Sequence, residues 1–176
     1  MMTGEVVTDM VDDRHTGKQR RVYVDMVGDL FHPGHVALLK RAREFGDWLI
    51  VGVLSDEVVS WYKRPPVMTL AERVAVIESC RYVDEVLPNA PYQVTEVFLE
   101  EKDISLVVHG DDISPEIVDE VFGPVAAAGR LKLVRYTSGI STTDLIRRVQ
   151  ERPPLQPGTG GRNGPYRFSG KASDPE

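Results

Sequence analysis

The chain has 176 residues, enough for one domain with short extensions. Its 21 Lys and Arg against 27 Asp and Glu give a net charge of −6, which disfavours a protein that binds nucleic acid or anionic membranes through a broad positive charge. No apolar stretch approaches the ~20 residues of a membrane-spanning helix, and the first residues lack the apolar core of a secretory signal, so we expect a cytoplasmic protein that contacts no membrane.

The ends of the chain differ in composition from its middle. Residues 1–20 are polar without apolar periodicity, and residues 152–176 are rich in proline and glycine. We therefore expect a folded domain over residues 21–151, between a flexible N-terminal extension and a flexible tail. Cys80 is the only cysteine, so no disulfide can form within the chain.

Between residues 21 and 151, short β-branched runs alternate with segments of helical periodicity. The runs predict strands at 22–27, 48–54, 83–87, 105–109 and 131–136. The segments predict helices at 33–45, 70–80, 93–101, 115–129 and 142–149, with a loop over residues 61–69. Because parallel neighbours need right-handed helical crossovers, this alternation predicts a Rossmann-like, doubly wound α/β fold with a five-stranded parallel sheet.

Polar segments follow three of the predicted strands. In a doubly wound sheet, ligands bind at the carboxyl ends of the strands. This rule points to residues 28–35, 109–112 and 137–143, where the richest polar motifs of the chain occur.

The first motif is His32-Pro33-Gly34-His35, at a predicted strand-to-helix junction. Pro33 suits the first position of a helix, and Gly34 lets a ligand approach the backbone closely. His32 and His35 would share a face above unpaired helix N–H groups, where anions bind and imidazoles can donate to phosphate oxygens. Two other interpretations stay open: a two-histidine metal site and a pair of structural helix caps.

The second motif is the hydroxyl-rich segment 137–143, which enters the last predicted helix. Its amides and hydroxyls could hold a second phosphate group. The alternative is a purely local role, because Ser141 and Asp144 have the spacing of a capping box.

The third motif is His109-Gly110-Asp111-Asp112, directly after a buried strand. Its carboxylates could accept a hydrogen bond from the amino group of cytosine, contact a metal, or only form the turn. Asp29, three residues before His32, could likewise orient the phosphate-binding loop or be an ordinary turn carboxylate.

Positive charge is concentrated around the helix predicted at 70–80. Lys63 and Arg64 precede this helix and Arg73 lies on it. In an acidic domain these cations could converge on a triphosphate and an anionic acceptor, or they could be solvated surface charges. Arg135 and Arg147 are further candidates.

Together these residues resemble the cytidylyltransferase family that includes the glycerol-phosphate, choline-phosphate and ethanolamine-phosphate enzymes. The shared positions cover almost the whole predicted domain, and the ethanolamine-phosphate enzymes are the most similar. The resemblance rests on Asp29-x-x-His32-x-Gly34-His35, Lys63 with Pro65-Pro66-Val67, Glu72-Arg73, the segment 81–86, Asn89-Ala90-Pro91-Tyr92, the segment 109–112 and the segment 139–144.

The resemblance implies a nucleotidyltransferase that uses CTP. It implies that His32 and His35 steady the CTP phosphates and that Lys63 bridges CTP and acceptor, which makes these three the catalytic residues. Contacts with the nucleotide are implied for Val27, Gly28, Asp29, His32, Gly34, His35, Lys63, Arg73, His109, Gly110, Asp111, Arg135, Tyr136, Thr137, Gly139, Ile140, Ser141 and Thr142. Contacts with the acceptor are implied for Lys63, Tyr92, Thr95 and His109.

The resemblance also implies a cofactor and a partner. Mg²⁺ is expected on the CTP phosphates, without metal ligands from the chain. The segment 81–86 lies at the subunit interface in the family, so a homodimer is expected.

Two departures distinguish this chain from the usual family pattern. Met26, Val27 and Gly28 stand where the family has Gly, then Thr or Cys, then an aromatic residue. The family's loop arginine falls at Tyr136, while this chain has its arginine one position earlier, at Arg135. These departures resemble the cytidylyltransferases of phosphonate metabolism, which include aminoethylphosphonate and phosphonoformate enzymes.

We therefore expect transfer of CMP from CTP to an oxygen of a small phosphonate, with release of pyrophosphate. An ionised acceptor oxygen can attack the α-phosphorus directly, so no side-chain nucleophile is needed. Three alternatives stay open: an ethanolamine-phosphate cytidylyltransferase that makes CDP-ethanolamine, an ATP-using adenylyltransferase, and a non-catalytic nucleotide-binding regulator on the same fold. The acidic composition argues against a nucleic-acid partner.

Overall fold

A single parallel sheet organises the part of the chain that the computed structural model describes, which is residues 19–153. Its strands are β1 (Arg21–Met26), β2 (Trp48–Val53), β3 (Glu85–Pro88), β4 (Leu106–Gly110) and β5 (Leu131–Val134), in the spatial order β3-β2-β1-β4-β5. All neighbours pair in parallel, so the expected five-stranded parallel sheet is confirmed. The expected extension and tail lie almost entirely outside the described residues.

Helices connect the strands and follow the last one. They are α1 (Pro33–Arg43), α2 (Asp56–Tyr62), α3 (Leu70–Glu78), α4 (Glu96–Glu101), α5 (Pro115–Ala127) and α6 (Thr142–Gln150). Each begins after a residue whose side chain accepts a hydrogen bond from an otherwise unpaired N–H of the first turn: His32, Ser55, Thr69, Thr95, Ser114 and Ser141. Within residues 19–153, none of these helices has the length and apolar character to cross a membrane.

Both faces of the sheet are covered by helices. Successive side chains of β1 point to opposite faces, so Val22 packs with Leu39 of α1 and Ile77 of α3 on one face. Tyr23 packs with Phe122 of α5 on the other face, in a second cluster to which α4 also contributes. Burial on both sides explains why the strands are near-continuous apolar runs in the sequence.

The order of the strands reverses between β1 and β4. The chain moves outward from β1 through β2 to β3 and then returns to place β4 against the other side of β1. At such a reversal the crossover connections leave in opposite directions and open a crevice beyond the carboxyl ends of the two strands. The segments that follow Met26 and Gly110 therefore border one crevice.

Residues 56–62 form a helix, α2, that the sequence did not predict. Ser55 begins it by accepting a hydrogen bond from the Val58 N–H at 3.2 Å. It ends at Lys63, whose backbone is extended (φ −134°, ψ −178°). The two prolines that follow, Pro65 and Pro66, cannot continue a helix. The loop expected over 61–69 therefore begins later, after Tyr62. The other predicted boundaries differ from the observed ones by a few residues.

Arg73 lies beneath the carboxyl edge of the sheet and is fully buried, with 0 % of its surface exposed. Its guanidinium donates to the carbonyl oxygens of Val27 at 2.5 Å and Leu54 at 2.8 Å, and to the Asp56 carboxylate at 2.6 Å. These bonds tie the ends of β1 and β2 to the start of α2 and to α3, which carries Arg73.

Replacement of Arg73 tests this arrangement. Arg73→Met keeps the apolar stem but leaves the Val27 and Leu54 carbonyls without these donors, so we expect the free energy of unfolding in urea to fall by about 3 kcal/mol. Asp56→Asn removes the charge opposite the buried guanidinium but retains a carbonyl acceptor, so it should lower the free energy of unfolding by less than Arg73→Met does. Equal stability of Arg73→Met and the parent protein would contradict the assignment.

Candidate active site

A cavity of about 830 Å³ opens at the carboxyl ends of β1 and β4. This volume lies within the roughly 300–1,000 Å³ typical of small-molecule sites. Most of the residues that the sequence assigned to nucleotide or acceptor line it: Val27, Gly28, Asp29, His32, Gly34, His35, Lys63, Tyr92, His109, Gly110, Arg135, Tyr136, Thr137, Ser141 and Thr142.

The start of α1 fixes the orientation of two imidazole rings. The Gly34 N–H donates to Nδ1 of His32 at 3.1 Å, and the His32 N–H donates to Nδ1 of His35 at 3.2 Å. Both Nδ1 atoms are therefore acceptors, which places the proton of each neutral ring on Nε2. The rings stack with their centroids 3.9 Å apart. The histidines are thus helix caps, as one interpretation of the motif held, and each keeps an Nε2–H donor outside these two bonds.

Both histidines are neutral at pH 7. Burial lowers the pKa of His32. Burial and the adjacent His32 ring lower the pKa of His35 to about 4, although the Asp29 carboxylate acts in the opposite direction. Two neutral rings can stack closely, whereas two imidazolium ions would repel each other.

The start of α6 faces the same cavity as the start of α1. Ser141, which accepts from the Asp144 N–H at 3.1 Å, begins α6 and lines the cavity together with Thr142. A Cβ atom placed on Gly34 would lie 2.9 Å from the His32 ring, so glycine leaves room for the His32 cap. The same Cβ atom would lie 3.5 Å from the Ile140 carbonyl oxygen, so the loop before α6 lies in contact distance of the start of α1. The starts of two helices therefore border one cavity.

Asp29 connects the loops around the cavity. Its carboxylate accepts hydrogen bonds from the N–H groups of Val67 and Met68, at 3.1 and 2.9 Å, and is 5 % exposed. Its carbonyl oxygen accepts from the Thr142 hydroxyl at 3.0 Å. Asp29 therefore positions the loop that carries Lys63 and the start of α6, in line with the orienting role that the sequence left open.

Arg73 and Thr95 do not line the cavity, which corrects two expectations. The Arg73 guanidinium is buried on backbone carbonyls and Asp56, so it supports the loops instead of contacting a triphosphate. The Thr95 hydroxyl accepts from the Phe98 N–H at 3.2 Å and begins α4. The pattern Thr95-Glu96 at a helix start was the signal for this capping role.

Three expected nucleotide contacts in and beside the last loop also lie outside the cavity lining. The Asp111 carboxylate accepts from the Tyr136 N–H at 2.7 Å and so shapes the loop after β5. Gly139 adopts φ +94° at the turn, where glycine is favoured. The Ile140 carbonyl accepts from the Tyr136 hydroxyl at 3.4 Å. These residues therefore build the wall that Tyr136 and Ser141 line.

Asp25 is a cavity residue that the sequence analysis missed. It lies in β1 and is 8 % exposed, and its Oδ1 has no hydrogen-bond partner within residues 19–153. Burial raises its pKa, while the nearby His109 acts to lower it. An acidic residue inside the apolar run 21–26 was the available signal, because a buried carboxylate needs a partner to offset its desolvation.

Aromatic rings border the same end of the cavity. Tyr62 and Tyr92 both line it, with centroids 5.4 Å apart, and Trp61 meets the Tyr92 ring edge-on at 5.5 Å. Burial, and next the Asp25 carboxylate, raise the pKa of Tyr62 to about 12. Asp25 lines the same cavity as Tyr62 and Tyr92. A buried carboxylate beside tyrosine faces is complementary to a cation.

A metal site built by the chain alone is not evident. Across residues 19–153, no group of three or more His, Cys, Asp or Glu side chains is arranged to hold a metal ion. The Nδ1 atoms of His32 and His35 are already occupied by backbone N–H groups. The two-histidine metal interpretation of the motif therefore has no support in this geometry.

A protein-family model described as cytidylyltransferase-like matches residues 28–148. The chain belongs to this cytidylyltransferase-like family. The match includes both helix starts and the loop between α2 and α3, so it covers almost all of the cavity lining.

The relatives of this cytidylyltransferase-like domain have names that describe enzymes for small phosphate esters. An ethanolamine-phosphate cytidylyltransferase of Dictyostelium discoideum is 41% identical over 133 residues, covering 75% of this chain and 37% of that protein. The enzyme of the same name from Arabidopsis thaliana is 41% identical over 138 residues, covering 75% and 32%. Choline-phosphate cytidylyltransferase A of Rattus norvegicus is 44% identical over 133 residues, covering 73% and 36%. The chain thus spans about a third of the length of these relatives.

Solved structures share the fold at lower identity. A lipopolysaccharide core biosynthesis protein of Thermoplasma volcanium superposes with a TM-score of 0.57 and 24% identity, covering 70% of this chain and 100% of that one. Pantothenate synthetase of Thermus thermophilus superposes with a TM-score of 0.50 and 15% identity, covering 76% and 62%. At these identities the likeness shows the fold alone.

The ring geometry predicts an unusual titration. An NMR pH titration should give His35 a midpoint near 4, with the Nε2–H tautomer above it. The unfolded chain takes up this proton near pH 6.5. His35 therefore destabilises the folded state progressively as the pH falls from about 6.5 towards 4, because the unfolded state then binds more protons. A His35 midpoint at or above 6.5, or an Nδ1–H tautomer, would contradict the geometry.

Proposed function

We propose that this protein transfers CMP from CTP to the phosphate of phosphoethanolamine, with release of pyrophosphate. The use of CTP as the donor rests on one observation, which is that two helix starts border a single cavity. One helix start carries His32 and His35, and the other carries Ser141 and Thr142. Membership of the cytidylyltransferase-like family also supports CTP as the donor. The names of the relatives in Dictyostelium and Arabidopsis support the acceptor.

The reaction needs positioning and charge stabilisation rather than a side-chain nucleophile. An ionised oxygen of the acceptor forms a bond to the α-phosphorus of CTP, and the bond from that phosphorus to the bridging oxygen breaks in line. Its electron pair leaves with pyrophosphate. The neutral His32 and His35 rings would donate Nε2–H bonds to the phosphates, and the first-turn amides of α6 would stabilise the developing charge. Lys63, which lines the cavity, would lie between the two reactants.

Asp25 supports an acceptor that carries an amine. An ammonium group would give the unpaired Asp25 oxygen a charged hydrogen-bond donor, and the rings of Tyr62 and Tyr92 would cover its other side. The buried Tyr23 hydroxyl, two residues before Asp25 on β1, also lacks a partner within residues 19–153. An acceptor with a carboxylate at this place, such as phosphonoformate, would be repelled by Asp25.

Aminoethylphosphonate is the second candidate acceptor. It carries the same amine as phosphoethanolamine but lacks the bridging ester oxygen, so its carbon is bonded directly to phosphorus and its amine lies one atom closer to the phosphorus. Asp25 would favour the amine of either compound, so its charge does not distinguish them. The expectation of a phosphonate acceptor has less support than the phosphomonoester, because the relatives compared with this chain carry the names of ethanolamine-phosphate and choline-phosphate enzymes.

The proposal includes a cofactor and an assembly. Mg²⁺ bound to the CTP phosphates would screen their charge. The chain would then hold the metal through the nucleotide. A homodimer through residues 81–86 would use the segment that leads into β3, which is an edge strand of the sheet.

Pyrophosphate release tests the function and the role of Asp25 together. We expect the parent protein to release pyrophosphate from CTP, but not from ATP, and faster with phosphoethanolamine or aminoethylphosphonate than with phosphonoformate or glycerol phosphate. Asp25→Asn should raise KM for phosphoethanolamine by ~10-fold to 100-fold, because a charged hydrogen bond is lost. KM for CTP should stay unchanged.

Asp112→Asn is the matched control. Asp112 also lines the cavity but is exposed, so its replacement should leave KM for phosphoethanolamine close to the parent value. Binding of CTP without pyrophosphate release with any of the four acceptors would favour a regulator over an enzyme. Equal rates with ATP would favour an adenylyltransferase.

A further inference from the structure

Two consecutive cations in the loop between α2 and α3 diverge from each other. Lys63 has an extended backbone, in which successive side chains point to opposite sides. The Lys63 ammonium lies 5.9 Å from the centroid of the Tyr62 ring, on the aromatic side of the cavity. The Arg64 guanidinium instead reaches α6, where Nη1 donates to the Thr143 hydroxyl at 3.4 Å. Both cations line the cavity.

Arg64 is weakly held in its observed position. Its bond to Thr143 is long and joins a cation to a neutral hydroxyl at the surface. Its guanidinium forms no ion pair with any carboxylate within residues 19–153. A charged group with a single long contact can exchange it for an anionic ligand at little cost.

The surroundings of Arg64 favour a phosphate ligand. Thr143 belongs to the first turn of α6, whose N–H groups attract anions. Asp29 fixes the geometry between the two elements, because it binds Val67 and Met68 beyond Arg64 and also the Thr142 hydroxyl. The Arg64 guanidinium therefore lies at the start of α6, which the proposed function assigns to the triphosphate.

We propose that Arg64 binds the β- and γ-phosphates of CTP together with the first turn of α6, and holds the pyrophosphate as it leaves. The inference rests on the proposed function and adds Arg64 to the residues that bind the nucleotide. When the bond between the α-phosphorus and the bridging oxygen breaks, the new negative charge appears on the pyrophosphate. A bidentate guanidinium stabilises this charge better there than a single ammonium. Lys63 then lies between CTP and the acceptor, and Arg64 binds the leaving pyrophosphate.

Calorimetric binding of CTP, CMP and pyrophosphate to the full chain tests this assignment. Arg64→Met keeps the aliphatic stem and removes the donors. It should weaken the binding of CTP and of pyrophosphate by ~10-fold or more, since a charged hydrogen bond is lost. Binding of CMP, which lacks the β- and γ-phosphates, should not change. In steady-state assays KM for CTP should rise while KM for phosphoethanolamine stays at the parent value.

Two further variants separate direct contact from general electrostatics. Arg148→Ala removes the same charge from an exposed position of α6 outside the cavity lining, and it should leave CTP binding unchanged. Arg64→Lys should recover only part of the lost affinity, because an ammonium cannot form the bidentate contact.

The outcomes distinguish the two proposals. Arg64→Met with parental CTP affinity, or with an equal loss for CMP, would overturn the role of Arg64 while the parent enzyme still released pyrophosphate. A rise in KM for phosphoethanolamine alone would place Arg64 on the acceptor and overturn the assignment to CTP. A parent protein that bound no CTP would overturn both the proposed function and this inference.

Discussion

The geometry of the site depends on the hydrogen bonds of Asp29. The carboxylate holds Val67 and Met68, and the carbonyl oxygen of the same residue accepts from the Thr142 hydroxyl, which lies 113 positions further along the chain. Three loops from different parts of the sequence therefore meet at one residue. These loops follow β1, α2 and β5, so the hydrogen bonds of Asp29 hold them together around one cavity at the carboxyl edge of the sheet.

Most of the groups around the cavity are oriented by backbone atoms rather than by other side chains. Backbone N–H groups hold both imidazoles in the Nε2–H form, and burial keeps them neutral at pH 7. Arg73 supports the loops from beneath by donating to two carbonyls. Lys63, Arg64 and Asp25 are among the charged residues that line the cavity and form no ion pair within residues 19–153. Preorganised hydrogen-bond donors, together with a few charged side chains that form no ion pair, suit phosphoryl-transfer chemistry.

The fold and much of the site were predictable from the sequence because their signals are local. Alternating strand and helix patterns, with right-handed crossovers, led to the parallel sheet, and the His32 and Ser141 caps marked the two helix starts. Helix α2 was missed because its last two residues were placed in the loop expected over 61–69, although Ser55 was a normal cap. The role of Arg73 was misjudged because burial depends on packing between distant segments. Asp25 was missed for the same reason: only the folded structure shows that its oxygen lacks a partner.

The central claim is that one triphosphate contacts both helix starts. The most direct measurement is an NMR titration of the backbone amides with CTP, following Gly34 and His35 of α1 and Thr142 and Thr143 of α6. We expect all four signals to shift with a single dissociation constant. Shifts confined to one helix start, or two different dissociation constants for the two, would contradict it.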